Sequence, residues 1–349
     1  MGCKKRLVVL GAVICLVLGG CGNTNSENVT TRTKASRQVQ IGMCFDSFII
    51  ERWQRDRDAF VAKATKELDA DVNIQNANGD VKEQVKQIDY FIDKKVDVIV
   101  VVAIDSEAVT DAVRRAKKAG IKVIAYDRLI RKADVDLYIT FDNEKVGTLM
   151  AQTIQAEVPD NGRILMMCGP MADNNVPLVQ EGFDKVLSDT NIKVMATDHA
   201  SGWTAEEGFD FVNDYLNTNV NIDAVMCGND GIASQVIRAL SERRLAGKVC
   251  VVGQDADLDA CQRIVEGTQT MTVYKPVEKL ARKAAEYAVA LAKGEFMPAP
   301  ETFYDGSQEV PYEGLEPIAV TKENMDMIIN DGFHLKEEIY LNVPEEQNK

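Results

Sequence analysis

Histidine is almost missing from this 349-residue chain: it occurs only as His199 and His334, neither in an H-E-x-x-H run nor in a triad-like setting. The commonest general base and metal ligand is therefore scarce. No G-x-x-x-x-G-K-S/T and no G-x-G-x-x-G occurs, so nucleotide use has no support. No C-x-x-C pair exists among the eight cysteines, and beyond Cys3, Cys15 and Cys21 an odd number remains: Cys44, Cys168, Cys227, Cys250 and Cys261. Most of these sit in apolar strand-like runs. That excludes a disulfide framework and a zinc site and leaves buried thiols as the expectation. Positive charge is short too, with 40 Lys and Arg against 54 Asp and Glu. A net charge of −14 argues against nucleic acid or an anionic membrane surface as partner and favours a neutral or cationic ligand. No metal or cofactor is implied, and there is no internal repeat of 20–50 residues.

One long uncharged apolar run is present, at residues 7–18, preceded by Lys4, Lys5 and Arg6 and followed by Gly19, Gly20 and Cys21. A charged region and then a short apolar one reads as a secretory signal over residues 1–20, since a membrane span needs about 20 apolar residues. The small residues before Cys21 resemble a bacterial lipobox, which implies a diacylated Cys21 and a protein anchored outside the cytoplasm. Residues 21–38 are rich in Asn, Ser and Thr and read as a flexible tether.

From residue 39 strands alternate with helices. Strands are expected at 39–45, 72–75, 96–102 and 121–126, with helices at 51–68, 81–94 and 106–119 between them. A second run places strands at 163–167, 192–196, 224–227, 249–253 and 271–274 among helices from 144 to 293. Residues 97–102, Asp-Val-Ile-Val-Val-Val, are nearly continuously β-branched, the mark of a parallel strand covered on both faces. Helical crossovers require parallel pairing. Two such runs in about 350 residues suggest an α/β protein of two doubly wound parallel-sheet lobes with a cleft between them.

Short polar clusters recur at the predicted strand ends: Glu51-Arg52-Trp53, Asp127-Arg128, Asp173-Asn174-Asn175, Gly202-Trp203, Asn229-Asp230, Gln254-Asp255 and Tyr274-Lys275. Ligands of open α/β sheets bind outside the carboxyl ends of the strands, so these clusters can share one pocket. Carboxylates and amides as acceptors, Arg, Lys and Asn as donors, and aromatic plates suit a neutral sugar. Asp127 beside Arg128, and Asp255 with Lys275, offer charge pairing once water leaves. Trp203 is a candidate plate, whereas Trp53, inside a helical run, reads as core. Taken singly, Asp127 or Asp255 also fits an ordinary helix cap, and Asn229-Asp230 fits a cap combined with a ligand contact.

The blocks at residues 51–58, 125–128, 141–147, 173–175, 253–258 and 267–276 together resemble the D-xylose-binding proteins of bacterial ABC sugar importers, members of the type I periplasmic-binding family. The likeness spans about residues 39–335. Residues 44–50 and 169–172 depart from the pattern, and residues 125–131 and 320–324 are equally similar to broader-range monosaccharide binders. The resemblance implies two lobes joined by a three-segment hinge, residues 39–142 with 276–306 and residues 143–275 with 307–340, with crossings near 141–145, near Lys275 and near 305–311. It further implies that Arg52, Asp127, Arg128, Asn175, Trp203, Asn229, Asp255 and Lys275 hold a sugar, and that the partner is an ABC permease. A sensor subunit docking on a membrane histidine kinase is the alternative, and a carbohydrate-active hydrolase a more distant one.

Overall fold

The computed structural model describes residues 37–218 and 220–344. The expected signal segment, nearly all of the tether and Cys21 lie outside the described residues. Chain order begins with β1 (Val39–Phe45), α1 (Arg52–Ala62), β2 (Ala70–Asn76), α2 (Val81–Lys94), β3 (Val98–Val101), α3 (Thr110–Lys118), β4 (Lys122–Tyr126) and β5 (Leu137–Phe141). It continues with α4 (Asn143–Glu157), β6 (Arg163–Cys168), α5 (Asn175–Leu187), β7 (Lys193–His199), α6 (Glu206–Leu216), β8 (Ala224–Cys227), α7 (Asp230–Glu242), β9 (Cys250–Gln254), α8 (Leu258–Glu266) and β10 (Met271–Tyr274). The remainder is α9 (Val277–Lys293), β11 (Glu301–Tyr304), β12 (Glu309–Leu315), β13 (Ile318–Val320), α10 (Asp326–Asn330) and α11 (Lys336–Ile339).

Local chemistry sets these boundaries. Asp80 caps α2 by accepting from the backbone amides of Lys82 and Glu83, and the helix ends at Lys95 in a left-handed conformation. Asp142 caps α4 through the Lys145 amide at 2.9 Å. β3 is buried along its whole length, as its β-branched sequence anticipates.

The strands form two sheets, ordered β11-β12-β5-β4-β3-β1-β2 and β13-β10-β9-β8-β6-β7. Pairing is parallel except where β11 meets β12 and where β13 meets β10. Apolar clusters cover both faces of each sheet, giving two doubly wound lobes. In the second lobe α4 and α5 touch at glycine, where a Cβ on Gly147 or Gly182 would fall 1.8 Å from a backbone oxygen of the other helix. The five described cysteines are all buried and unpaired. Among the described residues no helix is long and apolar enough to cross a membrane.

Three chain segments pass between the sheets: β5 to α4, β10 to α9, and β12 to β13. The third differs from the expected crossing near 305–311. β12 pairs in parallel with β5, from Tyr312 opposite Tyr138 to Leu315 opposite Phe141, so residues 309–315 belong to the first sheet and the chain crosses only at 316–317. The sequence reading also omitted β5, β11 and β12, and it started α3 at residue 106, whereas the helix begins at Thr110.

Candidate functional site

Between the lobes, at the carboxyl ends of both sheets, lies a cavity of about 500 Å³ with part of that space open at its mouth. The first lobe lines it with Ile50 just before α1, Arg52 and Trp53 at its start, and Asp127 and Arg128 after β4. From the second lobe come Asp173 and Asn175 before and at the start of α5, Trp203 before α6, Gln254 at the end of β9, Asp255 just after it, and Lys275 after β10.

Two of these turns are unusual in the same way. Asp127 (φ 64°) and Asp255 (φ 98°) both have positive φ, a region that Asp enters more readily than most residues. Held there at the strand ends, their carboxylates face the cavity. Arg52 Nη1 lies 2.9 Å from Asp127 and 3.8 Å from Asp255, while its Nη2 lies 3.0 Å from Asp56 at the next turn of α1. Lys275 Nζ sits 3.1 Å from Asp255. The expected pairing of Asp127 with its neighbour Arg128 is corrected, because the left-handed turn sends the two side chains apart. Arg128 instead bridges Asp46 of its own lobe and Asp173 of the other, each at 2.6 Å. Burial would push the Asp127 carboxyl up, but Arg52, Lys275 and Arg128 outweigh it and hold the group below its ordinary range. Burial pushes Asp173 up despite the opposing Arg128 charge.

The lobes touch directly across the cavity. Asn175 donates to the Asp127 backbone oxygen at 3.1 Å and accepts from the Tyr138 hydroxyl at 3.3 Å. The Ser106 amide donates to the Ala172 carbonyl at 3.0 Å. Two indole rings flank the space. Trp203 is fixed by its Nε1 bond to Asp173 at 3.3 Å and by Gly169, whose missing Cβ leaves room for the ring. Trp53, read from the sequence as core, is buried but also lines the cavity beneath the Arg52 guanidinium, 4.4 Å from its ring centre.

Seven of the eight residues expected at the site meet here. Asn229 is the exception: its side-chain oxygen accepts from the Ile232 amide at 2.8 Å, capping α7, and its neighbour Gly228 lines the cavity in its place. The sequence reading missed Trp53, Gln254, Asn143 and Asp173 as lining residues, although three of them stood in or beside the polar clusters. Four buried side-chain polar atoms among the described residues lack a hydrogen-bond partner, and three belong to this lining: Trp53 Nε1, Gln254 Oε1 and Asp255 Oδ1. Lys275 approaches the last of these only outside hydrogen-bonding geometry. Trp53 Nε1 as a free donor and Gln254 Oε1 as a free acceptor, beside the ion-paired Asp255 carboxylate, suit a ligand that both donates and accepts, since a buried polar group left unpaired costs about 1–3 kcal/mol.

Comparison with known proteins agrees with this geometry. The family model for the periplasmic binding protein domain matches residues 41–296. The chain is 46% identical over 311 residues to the D-xylose-binding periplasmic protein of Haemophilus influenzae, covering 87% of this chain and 93% of the relative. It is 44% identical over 330 residues to the protein of the same name from Escherichia coli, covering 93% and 98%. Among solved structures it is similar to an ABC transporter solute binding protein from Clostridium phytofermentans with bound β-D-glucose, at a TM-score of 0.79 and 27% identity, over 86% of this chain and 99% of that one.

Proposed function

The chain belongs to the periplasmic-binding protein family, and from that premise we propose that it is an extracytoplasmic binding protein for a monosaccharide, D-xylose first, which it delivers to an ABC permease by closing its lobes around the sugar. The observation that carries this reading is the pair of unpartnered atoms, Trp53 Nε1 and Gln254 Oε1, beside the charged Asp127, Asp255 and Lys275 in one buried cavity. A sugar hydroxyl donates and accepts at once, and the apolar face of a pyranose suits Trp53 and Trp203.

In this reading Arg52, Asp127, Arg128, Asn175, Asp255 and Lys275 address the hydroxyls. The carboxylates of Asp127, Asp173 and Asp255 each lie within 3.1 Å of a cation, which favours fixed recognition over acid–base turnover. Names of the relatives support xylose as the sugar, and the name of the Clostridium phytofermentans structure supports transport as the purpose. Cys21 is the proposed lipid anchor, and Cys21→Ser is expected to move the protein from the membrane fraction to the soluble one. Closure follows from the three crossings: each lobe is a body with its own sheet, and a sugar held by both shifts the population toward the closed form by its differential affinity.

The test is a crystal structure with D-xylose. The expected density lies between Trp53 and Trp203, with a hydroxyl within hydrogen-bonding distance of Asp255. An empty cavity at saturating sugar, with the ligand elsewhere or absent, refutes the assignment.

A further inference from the structure

Asp173 lies in the loop between β6 and α5, and its side chain is only 2% exposed. Protein donors engage both carboxylate oxygens. Oδ1 accepts from the Asn175 amide at 2.9 Å, while Oδ2 forms an ion pair with Arg128 Nε at 2.6 Å and accepts from Trp203 Nε1 at 3.3 Å. Arg128 comes from the opposite lobe, where Asp46 at 2.6 Å and the Ala103 carbonyl at 3.1 Å hold its Nη1. The residue before Asp173 also reaches across, through the bond from the Ser106 amide to the Ala172 oxygen. Residues 172 and 173 therefore grip the first lobe with groups that belong to the protein alone.

We propose that Asp173 is a positioning residue that latches the closed form, holding Arg128 and Trp203 over the cavity and thereby setting how long a bound sugar stays. Opening the cleft would return this carboxylate and guanidinium to water, where their attraction is weak. In the dry closed cleft the attraction is several times stronger. A contact made only on closure acts mainly on dissociation, since encounter precedes it. The consequence for sugar residence rests on the reading of the cleft as a sugar site, whereas closure itself can be measured without sugar.

The experiment uses the chain carrying Asp111→Cys and Asp210→Cys, one exposed position on each lobe, labelled with a fluorescent donor and acceptor. With Cys3, Cys15 and Cys21 replaced by serine and the five described thiols buried, the new ones label selectively. Asp173→Asn, nearly identical in shape, is expected to shift the sugar-free lobe separation toward wider values. It is also expected to raise the D-xylose dissociation rate by about ten- to a hundredfold while association stays within about threefold. Melting of the sugar-free variant checks that it is folded; should it not fold, Asp173→Glu takes its place with the same expected direction. A lobe separation identical to that of the parent overturns the latch, whatever happens to affinity. If the parent chain binds no D-xylose, the sugar reading fails, and the separation still decides the latch.

Discussion

Replacing Gly169 by alanine adds one methyl group at the point where the Trp203 ring is seated. The new Cβ would lie 2.3 Å from Cη2 and 2.7 Å from both Cζ2 and Cζ3 of the indole. Carbon atoms in contact sit about 3.5–4.0 Å apart, so the ring must shift by roughly 1 Å or more. The Trp203 Nε1 bond to Asp173 is already 3.3 Å and cannot survive such a shift. Losing that bond costs about 0.5–1.5 kcal/mol, and displacing the plate from the sugar costs a similar amount. Together they weaken D-xylose by about 1–3 kcal/mol, or roughly 5- to 150-fold in Kd. The Gly169 backbone is one that an L residue adopts, so the clash is the whole perturbation. Calorimetric titration measures the affinity, and a sugar-free melt confirms an intact fold. A Kd within twofold of the parent refutes the role given to Trp203.

Asp255→Asn keeps a side chain that tolerates the positive φ but removes the charge facing Lys275. It is expected to weaken sugar binding by about 2–4 kcal/mol while leaving sugar-free stability within about 1 kcal/mol, because the open cleft rehydrates Lys275; titration and chemical denaturation measure the two. Trp203→Ala is expected to remove most of any xylose-induced change in tryptophan fluorescence, and an intact change assigns the signal to Trp53. Asp230, fully buried at the first turn of α7, is pushed up to about 7 by burial, against bonds from Thr272 and Gln269 at 2.7 and 2.8 Å. A carboxyl raised in the fold favours the folded state most fully below its ordinary value near 3.9, and that contribution is lost as pH rises through about 7. The melting temperature is therefore expected to fall between about pH 4 and 7 in the parent and to level off above that, and to flatten across this window in Asp230→Asn; a parent profile flat from pH 4 to 7 contradicts it.

The alternation of β-branched runs with amphipathic stretches made both lobes legible, and the polar clusters at strand ends marked most of the cavity before any geometry was known. Regular rhythm was the signal, and the misses fall where it breaks. β5 follows β4 with no helix between them, β11 is short and mostly exposed, and β12 is exposed or half-buried along nearly all its length. Ser106 was assigned to a helix, yet α3 starts four residues later, which leaves the Ser106 amide to reach Ala172 across the cleft. Pairings were the least legible feature. Asp127 and Arg128 are adjacent, but the left-handed turn sends one to Arg52 and the other to Asp46 and Asp173. Nothing in sequence spacing joins Arg128 to a carboxylate on another lobe. Trp53 is core, as its helical position suggested, and what the sequence did not show is that the first turn of α1 also opens it to the cavity.

Calorimetric titration of residues 22–349 with D-xylose, D-glucose, D-galactose, L-arabinose and D-ribose tests the central claim most directly. The account predicts saturable one-to-one binding of D-xylose, tighter than that of the other four, and its loss on mutation of Asp127 or Asp255. No heat with any of the five sugars, from a chain that melts cooperatively, would contradict it.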